Sequence, residues 1–501
     1  MSFKKIFVDT ILFLLLITSL FSGYHDQGYQ YLYPKPDSKF VSSGTTLIIR
    51  FEQILPAQVK NLEVFVSITG EESGIHTGKT KIASDQKTVL FMPDTPFIPE
   101  EMVTVTLTPV INSPKKTDIK PITYQFKVIK HIVSDYEVMK EADDAVSINS
   151  PEPLQRFSAS QAMIMPNGVS VPSDFPHVEI TVNDNPSTDY IFIDNRGGGP
   201  GRPYNVIFDN TGSPVWYMQT LAERRDFKVQ RNGWITMRIQ SNDDYGNRDG
   251  FIAFDENFNF IKTFHATGDG VSTDEHELQV RDDGGYLLIG LRWVSIDLTS
   301  WGGPPDASIG ETGLQEFTAD DECIFQWWAL DHFDIADVEL ESLTSSSMRF
   351  PHMNAIDIDD DDNIILSSRH LSEITKIERG TGDFIWRLGG AHNQFTFIDD
   401  PLQGTRNQHA ARALGGGIYT AFDNGNGHNP SVSRAVKYQL NTDLMTATLI
   451  WEYREAGWYS HHMSNAQQLP NGNMLINWAQ SSLPKLTEIR PDGSKAFHMD
   501  F

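Results

Sequence analysis

One cysteine, Cys323, stands in the whole chain. A single thiol forms no internal disulfide and excludes a cysteine-based metal site. Cys323 reads as a buried structural thiol rather than a nucleophile. Basic residues are also short: 40 Lys and Arg face 66 Asp and Glu, for a formal charge of -26. That field opposes nonspecific attraction to nucleic acid or to anionic headgroups, so nucleic acid is excluded as a partner. An anionic small molecule stays open, provided local donors overcome the field. A glycine-rich phosphate loop of the form needed to cradle a nucleotide is missing as well.

What is present is material for strands and turns. Hydrophobic residues at 39% and aromatics at 11% can bury a core, and 37 glycines with 26 prolines favour many turns over long helices. At 501 residues two domains are expected. Residues 1–28 begin with Lys4 and Lys5, run apolar from Ile11 to Phe21 and then turn polar. This is the layout of a secretory signal peptide, with an N-terminal membrane anchor as the alternative, since Asp9 borders the apolar run and no clean pair of small residues follows it. Either way the bulk of the chain is expected to be exported, to the periplasm or the cell surface.

Residues 29–133 carry short alternating runs, "TTLIIRF", "LEVFVSI", "TVLFM" and "MVTVTLTPV". Strands at this spacing predict a small antiparallel β-sandwich, immunoglobulin-like in size. Residues 134–159 are charged, then broken by proline, and read as a linker. From 160 to 501 a repeat emerges. Its clearest copy runs from His352 to Gly390: strand, acidic turn, two apolar strands, Thr-Gly turn, and a strand holding Trp386. Other copies turn at Asn232-Gly233, Asp283-Gly284, Gly415-Gly416 and Asn471-Gly472. Asn-Gly and Asp-Gly pairs supply the positive backbone torsions of tight hairpins. Counting a first copy from about 175 to 218 and five more, the repeat predicts an all-β, six-bladed β-propeller. The last sheet would then need an N-terminal strand, with "SASQAMIMP" as the candidate. Residues 298–321 look too long for a hairpin and are expected to form an inserted loop over the channel mouth. Trp216, Trp328, Trp386 and Trp451 are expected in the core, and "DIDDDDN" (Asp357 to Asn363) as a solvated hairpin turn rather than a calcium loop.

In a propeller, equal positions in the repeat become neighbours in space. His276 lies seven residues before the turn at Asp283, His352 eight before Asp360, His409 six before Gly415 and His462 nine before Asn471. Histidine is not a favoured strand residue, so its recurrence there points to a shared site. Asn354 follows His352 by two, which on a strand puts both on one face. Arg369 ends the apolar strand "NIILSSR", and a hairpin would return it to the same end. Histidine, asparagine and arginine together make an anion pocket, arginine matching a sulfate, phosphate or carboxylate with its planar fork.

"PHMNAIDIDDDDNIILSSRHLSEITKIERGTGDFIWRLGG", "NQHAARALGGGIYTAFDNGN" and "AQQLPNGNMLI" resemble the bacterial arylsulfate sulfotransferase family over the whole repeat region. The resemblance implies a periplasmic six-bladed propeller behind a small β-sandwich, moving a sulfuryl group from a phenolic sulfate donor to a phenolic acceptor through a sulfated histidine. It makes His409 the nucleophile, His352, Asn354 and Arg369 the groups that hold the sulfuryl oxygens, and His276 a further channel histidine. His276 or His352 would protonate the leaving phenolate, and His462 is a candidate for substrate binding. No cofactor and no metal are implied, and a homodimer is the candidate assembly. Two other functions fit the residues alone: a catalytically silent exported propeller that binds a partner or glycan, and a quinone-dependent dehydrogenase.

Overall fold

Alternating apolar and polar residues, cut by Gly, Pro, Asn and Asp, make strands and tight turns. In the computed structural model strand outweighs helix by 51% to 3%, so the class is all-β. The structure describes residues 27–52, 55, 65–108, 119–129, 163–165, 168–195, 203–220, 225–240, 249–479 and 485–501. The leader up to residue 26, the linker at 134–159 and most of "SASQAMIMP" lie outside the described residues. Among the described residues no helix is long and apolar enough to cross a membrane. The chain divides into two compact units. One comprises Met1–Ile132 with Glu316–Gln326 and Gly380–Gly382, and the other Val133–Gln315, Trp327–Arg379 and Asp383–Phe501.

The first unit holds two antiparallel sheets. One runs Tyr29–Tyr33, Leu47–Phe51, Thr88–Pro93, Gly78–Ile82, and the other Gly74–His76, Val66–Gly70, Met102–Leu107, Ile122–Lys127. Val66–Gly70 alternates buried and exposed residues, the period-two pattern of a strand with one wet face. Leu47, Ile49 and Phe91 of the first sheet share a core with Ile68, Val103, Val105 and Phe126 of the second. Each such side chain contributes about 1.5–3 kcal/mol by leaving water. Cys323 is half-buried, and desolvation pushes its thiol up to about 12, so it holds its proton at neutral pH.

The other described strands from Ile191 onward form a succession of sheets, numbered here I to VI. Sheet I is Ile191–Asn195, Tyr204–Phe208 and Pro214–Gln219; sheet II is Lys228–Val229, Ile235–Ile239, Gly250–Phe254 and Phe260–Phe264. Sheet III is Val271–Val280, Tyr286–Ile296, Ala307–Phe317 and Cys323–Trp328, with Ser347–Phe350 added in parallel to Ala307–Phe317. Sheet IV is Met353–Ile358, Ile364–Ser368, Glu373–Ile377 and Phe384–Gly389. Sheet V is His409–Gly415, Ile418–Asp423, Arg434–Asn441 and Thr446–Tyr453, with Thr396–Ile398 parallel to the last. Sheet VI is Asn465–Gln468, Met474–Trp478, Lys485–Ile489 and Lys495–Asp500.

Apolar side chains join each sheet to the next. Ile207 of sheet I packs with Met237 and Ile252 of sheet II, and Phe264 of sheet II meets Tyr286 of sheet III edge-on at 4.8 Å. Trp386 of sheet IV, 2% exposed, sits in a cluster with Ala411, Tyr419 and Val436 of sheet V. Phe422 of sheet V packs with Ile476 and Trp478 of sheet VI. Tyr204, Val206 and Phe208 of sheet I share a further cluster with Leu486, Phe497 and Met499 of sheet VI.

Several expectations change. The strand that completes sheet VI is Glu179–Asn183, antiparallel to Lys495–Asp500, whereas Met163–Ile164 pairs with Ser170–Val171. Residues 179–183 therefore leave the first repeat, which begins at Ile191. The segment 298–321 is no inserted loop: Ala307–Phe317 is an interior strand of sheet III. Its polar residues hid it, because Glu311 is fully buried against Arg292 at 2.7 Å and so breaks the expected alternation. The acidic turn is not simply solvated, since Asp359 is buried and accepts from Lys376 at 2.7 Å and Tyr419 at 2.5 Å. Trp328 and Trp386 are core residues, while Trp216 and Trp451 are half-buried.

Candidate active site

The opening strands of sheets III, IV, V and VI lie side by side, and their histidines sit where the ladders break. In Val271–Val280 the register slips between Thr273 and Leu278, across His276. His352 precedes its strand in the left-handed region (φ 61°), and the ladder slips again between Met353 and Ala355, around Asn354. His409 pairs with Phe422, but register is lost before Arg412, with Ala410 left-handed (φ 53°). Bulges release a side chain from the pleat and re-aim it. The two-residue alternation expected for His352 and Asn354 therefore does not apply. Gly415, which ends His409–Gly415, and the following Gly416 and Gly417, at φ 81°, 60° and 76°, make a turn that side chains would strain, and Gly416 donates to Asp360 at 2.9 Å.

His409 is buried, and both ring nitrogens are engaged. Nδ1 lies 2.7 Å from Asn424 Oδ1. Asn424 Nδ2 donates to the carbonyls of Ser460 (2.7 Å) and Met463 (3.1 Å), which orients the amide. Asn424 Oδ1 is then an acceptor, Nδ1 carries the ring proton, and Nε2 keeps its lone pair. Met463 N–H donates to Nε2 at 3.2 Å, from a backbone held left-handed at Met463 and Ser464 (φ 57° and 78°). Burial pulls the His409 pKa down to about 3, against the Asn424 bond and with help from His276, Arg369 and His462.

Around it stand the other groups. The rings of His276 and His352 meet at 5.0 Å, and those of His352 and His370 at 4.5 Å. Burial, then His276, His370, Arg369 and His409, hold the His352 pKa well below its ordinary value. His276 is bound through Nδ1 to Asp274 Oδ1 at 2.5 Å. Burial raises the Asp274 carboxyl, but His276 and Arg349 outweigh it and leave the pKa lowered. Arg369 opens the turn after Ile364–Ser368, and its N–H bonds His352 O at 3.0 Å, which sets the two side by side. Asn354 Nδ2 donates to Gln408 O at 2.8 Å, one residue before the His409 backbone. His461 and His462 precede their strand, with rings 4.4 Å apart; His461 is exposed and His462 half-buried. His276, His352, Arg369, His409 and His462 thus come together, with Asn354 bracing the peptide before His409.

An ion pair ties two of these strands. Arg412, three residues past His409, donates to Glu277, one past His276, at 2.7 Å. Burial raises the Glu277 carboxyl, yet Arg412 and Lys228 outweigh it and lower the pKa.

Sequence reasoning missed His370, Asn424, Asp274 and Met463. Asn424 sits in "DNGN" and His370 in "SSRH", which read as turn and strand end, and their roles depend on partners distant in the chain. Asn424→Ala frees the His409 ring to rotate and to change tautomer; turnover is expected to fall by about 10²-fold or more, as when a histidine loses its orienting partner. Steady-state kinetics of the variant checks this, and an unchanged kcat would exclude the orienting role.

The histidine shifts set a pH dependence with a definite sign. His409 and His370, pulled down to about 3 and about 4 by burial, stay neutral in the fold, while the unfolded chain protonates them below about 6.5. Their contribution to stability is complete above about 6.5 and is lost as pH falls from there toward the folded values. Urea midpoints should decline from about pH 6.5 to about pH 4, and the decline should shrink in His409→Phe. A variant that declines as steeply as wild type contradicts the assignment.

A family model described as arylsulfotransferase (ASST) matches residues 178–500. No curated protein matches the chain. Solved structures with a weak likeness include a protein of unknown function from Bacteroides caccae, 13% identical over 63% of this chain and 94% of that one, TM-score 0.38. Virginiamycin B lyase from Staphylococcus aureus is 10% identical over 64% of this chain and 87% of its own, TM-score 0.31. Likenesses this weak carry no argument about the chemistry.

Proposed function

The chain belongs to the arylsulfotransferase family, and on that premise we propose that it moves a sulfuryl group from a phenolic sulfate to a phenolic acceptor through a sulfated His409. The six sheets, with sheet VI packed on sheet I, are read as the blades of a six-bladed propeller. The observation that carries the chemistry is the tautomer of His409: Nδ1–H is spent on Asn424 and Nε2 holds a lone pair.

Nε2 attacks sulfur as the Met463 N–H contact gives way. The N–S bond forms, the S–O(aryl) bond breaks, and aryloxide leaves. Asn424 stabilises the positive charge on the ring by accepting Nδ1–H without removing the proton, so sulfoimidazolium stays a good leaving group. Arg369, His352 and the second N–H of Asn354 meet charge on the sulfuryl oxygens. His352 is held neutral, which suits a hydrogen-bond donor. His276, with the Asp274 carboxylate on Nδ1, is suited to carry a proton. It protonates the aryloxide, then takes the proton of the incoming phenol, whose oxygen attacks sulfur and restores His409. All these groups come from one chain. The exported location read from residues 1–28 belongs to the same proposal.

Initial rates with a chromogenic aryl sulfate should give parallel double-reciprocal lines as acceptor is varied, and a burst of phenol close to one per chain without acceptor. Intersecting lines with no burst would mean direct transfer from donor to acceptor.

A further inference from the structure

We propose that His370, buried beside Arg369, is a positioning residue for sulfuryl transfer, holding the arginine fork in the orientation that meets the anion. The proposal rests on the sulfotransferase reading and adds a residue to it.

His370 is joined on three sides. Arg369 Nη1 donates to its Nε2 at 2.9 Å. Its Nδ1 lies 3.0 Å from the carbonyl oxygen of Arg349, which accepts only, so Nδ1 carries the ring proton and Nε2 is the acceptor. Its ring packs 4.5 Å from His352. Burial holds its pKa down to about 4, so at neutral pH it stays an acceptor and adds no charge to repel the guanidinium. The Arg349 backbone that anchors it belongs to a residue whose side chain lies 3.9 Å from Asp274, the partner of His276.

The backbone of Arg369 is pinned separately. Its N–H bonds His352 O at 3.0 Å and its carbonyl accepts from Asn407 at 2.9 Å. The torsions of a long side chain remain, and these are fixed by His370 at Nη1 and by His461 O at Nη2, 3.2 Å away. Nε of Arg369 is buried with no hydrogen-bond partner among the described residues. A buried, unspent donor on a fork held at both tips is the feature of an anion seat built before the anion arrives. Without His370, one tip swings free and the donor loses its aim.

The test uses the full chain with His370→Leu, which removes the acceptor, and His370→Gln, whose side-chain carbonyl can accept from Arg369. Two quantities are read: affinity for inorganic sulfate by calorimetry, and the rate of the phenol burst from a chromogenic aryl sulfate. His370→Leu is expected to weaken sulfate binding about tenfold and slow the burst about 10²-fold. His370→Gln should recover most of both, with circular dichroism and Tm near wild type in each variant. Unchanged sulfate affinity in His370→Leu would overturn the proposal. Equal losses in Leu and Gln would do the same, since they would assign His370 a packing role. A wild-type chain that binds sulfate without a burst removes the sulfohistidine alone, and the sulfate comparison still decides His370.

Discussion

His409→Ala should lower kcat for aryl sulfate turnover by about 10⁶-fold, the scale seen when a nucleophile is removed from a site that otherwise binds normally. The reason is specific to the geometry. The proton of His409 is fixed on Nδ1 by the oriented side-chain amide of Asn424, and the Nε2 lone pair is met by the Met463 N–H at 3.2 Å, a contact that an incoming sulfuryl group can replace. Arg369, His352 and His276 stay in place in the variant, so sulfate affinity should change by less than about tenfold while turnover collapses. A split of that kind, with binding kept and chemistry lost, separates a nucleophile from a binding residue. His409→Gln should be as inactive as Ala, because an amide offers no comparable nucleophile. Turnover within about tenfold of wild type would remove His409 from the reaction.

Arg434→Met should be the most destabilising single change in sheet V, by about 3–5 kcal/mol. Arg434 is fully buried and donates to Asp423 at 2.8 Å, to both oxygens of Asp400 at 2.8 and 3.1 Å, and to Gly404 O at 2.8 Å. Burial raises the Asp400 carboxyl, but the Arg434 and Tyr438 bonds overcome it and bring the pKa down to about 2. Methionine fills much of the space yet abandons two buried carboxylates. The consequence reaches the site, because Asp400 also caps Gly404 N–H at 2.8 Å and Asp423 holds Arg406 N–H at 2.8 Å, so the segment leading to His409 hangs on this cluster. Urea unfolding at neutral pH checks the loss. Adding Asp400→Asn to Arg434→Met should return part of it by removing an unpaired charge. A midpoint within experimental scatter of wild type would show that the cluster relaxes or hydrates.

Local chemistry was readable in the chain. The Asn-Gly, Asp-Gly and glycine-rich turns and the position of Trp386 between sheets follow from neighbours a few residues apart, and counting from those turns brought His276, His352 and His409 to corresponding places. The strand Glu179–Asn183 was not readable as part of sheet VI, since its partner Lys495–Asp500 lies more than 300 residues away and no local pattern names it. Ala307–Phe317 was missed because Glu311, Gln315 and Glu316 are buried polar residues, and binary pattern assigns such residues to loops. The site's outer partners were hidden for a related reason. Asn424 acts on His409, whose place is set by a bulge that leaves no periodic mark in sequence, and His370 acts through the Arg349 carbonyl, 21 residues back in the chain.

The central claim is a covalent one, and peptide mapping by mass spectrometry after mixing the full chain with an aryl sulfate, in the absence of acceptor and quenched at alkaline pH, addresses it directly. The account predicts one added sulfuryl group per chain on the peptide containing His409, lost on addition of a phenol and absent from His409→Ala. Continued turnover with no adduct, or an adduct on a different residue that a phenol discharges, would contradict it.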